Sequence, residues 1–358
     1  MKIGIVFGEF APLHQGHLSE IMRAKKENDK AFVFVCGYDG DKRAEEIGLR
    51  LHKRWRLIKT FFKDDSLVEV GESNDTDLGI DESMCDSNWK IWIEHKYEVI
   101  ARTTHHNHTA LEITWYVGEK FYKEMLEKHT KDKVVLFDRK ELPCSGTECR
   151  KNPIKNWKYI TSVFRPYMCH NILIVGTASE GKTTLVQDIG KFFNIPYSYE
   201  KGRDNYTFKD DRDFDFDDFM YNIYEQRKFN KELIHSPQNN GVFISDTDNL
   251  VTLMYAKAYT SFDDFSINQE QYEVLKNVAL QYRDATKWDK IYLIKPSEKP
   301  IVDDGTRYMA HSDYEIRKFF YEILRNLLDE FGYEYEELEG DYYSNFCTVK
   351  KYIEELYA

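Results

Sequence analysis

Short apolar, β-branched runs alternate with stretches of helical period from the first residues onward. A brief continuous apolar run reads as a strand buried on both faces, and apolar positions recurring every three or four residues read as one face of a helix. On that basis strands are predicted at residues 3–7, 31–36, 134–137, 172–175, 242–245 and 290–294. Helices are clearest at 16–26, 50–62, 183–193 and 314–330. Strand and helix in alternation is the rhythm of parallel α/β domains. Across residues 161–170 the period is lost around Phe164-Arg165-Pro166-Tyr167, and a fresh buried strand follows. A domain junction is expected there, giving domains 1–165 and 166–358.

Length and charge sharpen this picture. A chain of 358 residues suits two domains better than one. With 42% hydrophobic and 31% charged residues it can pack a core and is not disordered throughout. A formal charge of −12 disfavours generic binding to nucleic acid or anionic membrane, so phosphate-bearing ligands must be met by local basic groups and small molecules are the expected partners. Met1-Lys2 leads straight into the first strand without a signal-peptide pattern, no apolar run is long enough to span a bilayer, and the six cysteines lack C-x-x-C spacing. A cytoplasmic protein with reduced thiols is therefore expected. His105, His106 and His108 share one loop without a matching carboxylate or cysteine pattern and are not taken as a metal site. The run Asp213-Phe214-Asp215-Phe216-Asp217-Asp218-Phe219 reads as a solvated loop feeding a helix.

Candidate chemistry lies at two strand-to-helix transitions. The first is Gly8-Glu9-Phe10-Ala11-Pro12-Leu13-His14-Gln15-Gly16-His17. Gly8 permits a tight turn after the strand, Pro12 fixes the chain, and the helix opening at Gly16-His17 brings backbone N–H groups and the positive end of its dipole to one point. His14 and His17, three apart, would present imidazole donors to the same phosphates. The second is Gly176-Thr177-Ala178-Ser179-Glu180-Gly181-Lys182-Thr183-Thr184, which follows an apolar strand and opens a helix, as a phosphate loop requires. Lys182 is expected on the β- and γ-phosphates and Thr183 on Mg²⁺, with Gly176, Gly181 and Thr184 completing the ATP site. The strand at 242–245 ends in Asp246-Thr247-Asp248, placing carboxylates where a metal shell is held. Glu200 follows another short strand, and either Asp246 or Glu200 could be the base.

The first motif resembles the G-x-F-x-P-x-H-x-G-H signature of the nucleotidyltransferase superfamily, with Gly8, Phe10, His14 and His17 as ATP-binding positions. Ser145-Gly146-Thr147-Glu148-Cys149-Arg150 resembles that superfamily's S-x-T-x-x-R. The resemblance implies that Ser145, Thr147 and Arg150 grip the ATP β- and γ-phosphates and stabilise the departing pyrophosphate. Asn88-Trp89-Lys90-Ile91-Trp92 resembles a segment of the nicotinamide-nucleotide branch, which implies an indole, Trp89 or Trp92, stacked on a pyridinium ring. Val302-Asp303-Asp304-Gly305-Thr306-Arg307 resembles the lid of nucleoside kinases, with Arg307 closing over the transferred phosphate.

Taken together the order of motifs resembles the bifunctional nicotinamide-nucleotide adenylyltransferase and ribosylnicotinamide kinase family of bacteria and their phages, over nearly the whole chain. The resemblance implies a Rossmann-like nucleotidyltransferase domain followed by a P-loop kinase domain, both with parallel sheets. It implies that ATP serves both steps with Mg²⁺ as cofactor, nicotinamide riboside being phosphorylated to the mononucleotide and the mononucleotide adenylylated to NAD and pyrophosphate. Glu200, Arg203, Asp246 and Asp248 are then substrate-binding candidates, and NAD is product and candidate feedback inhibitor. Some members carry an N-terminal helix-turn-helix; this sequence opens on the first strand, and DNA binding is not expected. Homo-oligomerisation stays open. Glu9 stands where relatives often carry Lys, and Cys149 replaces a usual aliphatic residue. Two other readings are a kinase regulated by a degenerate NAD-sensing domain, and a non-enzymatic NAD-responsive regulator.

Overall fold

The computed structural model describes residues 1–41, 47–80, 85–137, 144–206, 211–283, 287–298 and 313–358. The chain divides into two compact units, Met1–Met168 and Cys169–Ala358, each built on a five-stranded sheet. In the first unit the strands are β1 (Lys2–Gly8), β2 (Lys30–Gly37), β3 (Val68–Asn74), β4 (Glu112–Val117) and β5 (Lys133–Leu136), in the order β3-β2-β1-β4-β5. Every pairing is parallel. Residues 31–37 of β2 are all buried, which is why that strand reads as a continuous apolar run rather than an alternating one. The strand at β3 escapes the pattern because it is an edge: only Val68 and Ser73 are buried, and Val-Glu-Val-Gly-Glu-Ser-Asn carries polar residues in between. β4 also falls outside the predicted set, although five of its six residues are buried, because its Thr-Trp-Tyr centre breaks the aliphatic run. Phe32, Phe34, Trp89, Trp92, Trp115 and Ile100 lie in one apolar cluster of this unit.

The second unit contains β6 (His170–Gly176), β7 (Tyr197–Ser198), β8 (Val242–Ser245), β9 (Lys290–Ile294) and β10 (Glu336–Leu338), in the order β10-β9-β6-β8-β7, again all parallel. β8 and β9 have the predicted bounds, while the three-residue β10 is too short to leave a signal. Its core joins Leu173, Val175, Leu253, Met254, Leu293 and Leu324. The aromatic and acidic run is local structure: Asp215 N-caps the helix Phe216–Ile234 in a reciprocal capping box with Asp218, while Phe214 and Phe219 enter the core. All six cysteines are free. Among the described residues no helix is long and apolar enough to cross a membrane.

In both sheets the strand that opens the unit is the middle one, and it ends in a glycine, Gly8 or Gly176. Ligands of open parallel sheets bind outside the carboxyl ends of such strands, where the strand order reverses.

Candidate functional site

At the end of β1 the chain turns through Glu9–Leu13 with Phe10 in the left-handed region (φ 48) and a cis Ala11-Pro12 bond, then enters the helix Gln15–Glu27. His14 is the N-cap of that helix: its Nδ1 accepts from the Gly16 N–H at 3.1 Å. An acceptor at Nδ1 fixes the ring proton on Nε2, the tautomer of a hydrogen-bond donor. The His14 and His17 rings stack with centroids 3.8 Å apart, and Phe10 packs edge-on against His17 at 4.9 Å. Both histidines, with Gly16, Glu20, Phe137, Cys144, Ser145 and Gly146, line a cavity open to solvent. The two sequence-predicted motifs therefore meet on one cavity.

Ser145 caps the short helix Gly146–Lys151 by accepting from the Glu148 N–H at 3.1 Å. Arg150 joins the motifs directly, donating to the Ala11 carbonyl and, at 3.3 Å, to the Thr147 hydroxyl. Cys149 is fully buried, so its place in the motif is a packing position. The loop carrying Glu9 is held by a residue that sequence reasoning missed: fully buried Arg54 donates to the carbonyls of Leu49, Glu9 and Cys36. Within the helix Leu51–Phe61 an arginine looks like a solvated charge, and only the tertiary fold turns it inward.

Trp89 and Trp92 are 1% and 4% exposed. Trp89 sits edge-on to Trp92, Phe121 and Tyr122, with its indole N–H lacking a partner among the described residues. Trp92 has the Lys96 ammonium 3.6 Å from its ring centroid and donates its own N–H to Asp75. Lys96, fully buried, donates to the Ser73 hydroxyl at 2.6 Å, and burial pulls its pKa down to about 8 against the opposing charges of Cys36 and Asp75. Asp75 is raised above the ordinary carboxylate range by burial first and by Glu9 among its neighbours, with Lys96 and Trp92 opposing. This network of Asp75, Trp92 and Lys96 was not legible in the sequence; a lysine on the buried face of the helix Asp86–Thr104 was its only trace.

In the second unit a Cβ at Gly176 would lie 2.9 Å from the Ile294 carbonyl, and Gly181 is left-handed (φ 80), so both glycines are required where they stand. Lys182 is 6% exposed and donates to the Thr177 carbonyl at 2.7 Å, tying its ammonium to the loop's own backbone. Thr183 donates its hydroxyl to Asp246 Oδ2 at 2.6 Å. Asp246 is almost fully buried, which pushes its pKa up to about 6 despite the Thr183 hydroxyl, and its Oδ1 has no hydrogen-bond partner among the described residues. Thr184 is exposed at the start of the helix Lys182–Phe193.

Glu200 accepts from Arg203 Nε at 3.3 Å, and the charges of both act on Asp246. Glu200 also lines a small pocket open to solvent with Phe214, Phe219, Asn222, Gln226, Thr247 and Tyr255. Asn222, Gln226 and Asn230 are buried at successive fourth positions of the helix Phe216–Ile234. Such a polar stripe facing inward is the signal that could have marked this wall in advance. Asp248 is placed differently. Its Oδ1 accepts from the Leu250 N–H at 2.8 Å and its Oδ2 from Trp288 Nε1 at 3.1 Å, and it borders a separate cavity with Arg227 and Trp288. Arg307 and its neighbours Val302–Thr306 lie outside the described residues.

A family model described as cytidylyltransferase-like matches residues 5–152, and one described as an AAA domain matches residues 171–344. A crystal structure of NadR protein in complex with NR is 34% identical, covering 95% of this chain and 90% of that one with a TM-score of 0.80. The chain belongs to the NadR family. A second NadR structure, in complex with NAD and AMP-PNP, is 32% identical and covers 98% of this chain and 96% of that one, with a TM-score of 0.82. The NadR proteins of Salmonella typhimurium and Escherichia coli, each described as a trifunctional NAD biosynthesis/regulator protein, are both 25% identical over 99% of this chain and 83% of their own length. The architecture agrees: a cytidylyltransferase-like unit comes first and an AAA-type unit with its phosphate loop second, both on parallel sheets.

Proposed function

We propose that the chain carries out two successive ATP-dependent steps of NAD biosynthesis: the unit after Met168 phosphorylates nicotinamide riboside, and the unit before it joins the resulting mononucleotide to AMP, releasing pyrophosphate. The observation that carries this reading is the pair of phosphate-handling sites, each at the end of its sheet's middle strand, in a chain of the NadR family.

In the phosphorylating unit the groups divide by placement. Thr183 and Asp246 share a hydrogen bond at the phosphate loop, and an acidic oxygen beside a hydroxyl is a donor set that fits Mg²⁺, which when bound neutralises charge on the β- and γ-phosphates. Glu200 faces the cavity walled by Asn222 and Gln226 and is assigned to orient the acceptor hydroxyl and take its proton. Arg203 holds Glu200 in place, and Lys182 neutralises the triphosphate.

In the adenylylating unit no protein nucleophile is required, because a phosphate of the mononucleotide attacks the α-phosphorus once both are aligned. His14 and His17 donate to the triphosphate, and Ser145, Thr147 and Arg150 stabilise the departing pyrophosphate. Trp89 and Trp92 are assigned to the pyridinium ring on the family resemblance, though both lie buried in the apolar cluster of this unit.

Incubating the full chain with ATP, Mg²⁺ and nicotinamide riboside and resolving the products by chromatography tests the reading: mononucleotide followed by NAD is expected. Mononucleotide without NAD would favour a second reading, in which the first unit binds NAD and regulates the kinase. Glu9 supports that alternative, since its charge adds to that of Asp75 near the site.

A further inference from the structure

Glu180 is an unusual residue for a loop that wraps phosphate, because a carboxylate there repels a triphosphate unless its charge is met by a partner. Its side chain is 3% exposed, as is that of Arg317, which donates from Nη1 to Oε1. The Ser297 N–H donates to Oε2 at 3.1 Å, so both oxygens are engaged. Ser297 follows β9 and Arg317 stands in the first turn of the helix Tyr314–Glu330. One carboxylate thus ties the phosphate loop to both segments that flank the Val302–Arg307 run in sequence.

Backbone conformation gives this tie a purpose. Ser179 (φ 67) and Gly181 (φ 80) are both left-handed, one on each side of Glu180. For a serine that conformation is strained, and it persists only where surrounding bonds over-determine it. The loop's backbone N–H groups point at phosphate only while this shape holds.

We propose that Glu180 is a positioning residue for phosphoryl transfer, holding the two left-handed residues of the loop in their phosphate-binding shape through Arg317 and the Ser297 N–H. This rests on the reading of the second unit as a kinase.

The test uses the full chain. Glu180→Gln should raise the KM for ATP and lower kcat for riboside phosphorylation by about tenfold, the scale of a lost alignment. The KM for riboside should stay within about twofold, since none of the residues lining the Glu200 cavity belongs to this tie. NAD formation from supplied mononucleotide in the same preparation reports on the rest of the molecule. Because Glu180→Gln strands a buried guanidinium, the double variant Glu180→Gln with Arg317→Met is measured alongside it. Recovery of stability with the ATP defect retained supports positioning; recovery of both shows that the carboxylate only balanced Arg317 and overturns the proposal. Should the wild-type chain phosphorylate no riboside, the kinase reading falls, and calorimetric ATP binding by wild type against the double variant still decides the role of Glu180.

Discussion

His17 stacks on His14 and is pinned by Phe10, so its ring is oriented before any nucleotide arrives. A donor held in this way acts in the transition state without reorganising. Replacing His17 by Ala should therefore lower kcat for NAD synthesis by about 10²-fold while riboside phosphorylation persists, as steady-state assays of both reactions will show. Lys96 makes a different prediction. Its folded pKa of about 8 lies below the 10.5 of an exposed lysine, so between these values the unfolded chain holds a proton that the native chain has released. Stability of wild type relative to Lys96→Met should therefore rise as pH increases from 8 to 10.5, by on the order of 3 kcal/mol. Urea unfolding followed by tryptophan fluorescence checks this, since Trp55, Trp89, Trp92, Trp115 and Trp157 all belong to the first unit. That His14 and His17 come together was legible because their offsets from Gly8 match a known motif. Lys96, Asp75 and Arg54 were not, because nothing in local spacing separates a buried cation from a solvated one. The tryptophans fall between: a wall for an aromatic ligand and a core position are both written as a buried indole.

Among the elements, strands written as unbroken aliphatic runs declared themselves, the edge strand β5 included, and those interrupted by polar or bulky aromatic residues, β3 and β4, did not. β2 and β8 are unbroken apolar runs, whereas β3 interleaves glutamates because its outer side has no neighbouring strand. Helix starts follow capping chemistry. Asp215 accepts from the N–H groups of Asp217 and Asp218, and Asp218 returns a bond to the Asp215 N–H. Asp215→Ala should cost about 1 kcal/mol in the unfolding free energy of the second unit, with riboside KM raised, because the same helix carries Asn222 and Gln226 to the Glu200 cavity. A thermal scan and a riboside titration measure the two effects; stability lost without any change in KM would separate the cap from the cavity.

For the whole molecule, the proposed placement of one phosphate site in each unit means that one activity can be removed without the other. Lys182→Ala should abolish mononucleotide formation from riboside and leave NAD formation from supplied mononucleotide largely intact. Equal loss of both in a folded variant would show that the steps are not divided between the units as proposed. The order of strands also bears on how the chain is made. In the first unit the middle strand β1 gains a parallel neighbour as soon as β2 is complete at Gly37. In the second unit β6 finishes at Gly176, yet neither of its neighbours exists until Val242 has been added. Throughout that interval on the ribosome an apolar strand, Ile172-Leu173-Ile174-Val175, has both edges open, the condition under which nascent chains associate with one another or recruit chaperones. Of the two halves, the later-made one is thus the more exposed to misassembly at birth, and slower translation between Gly176 and Val242 would lengthen that exposure.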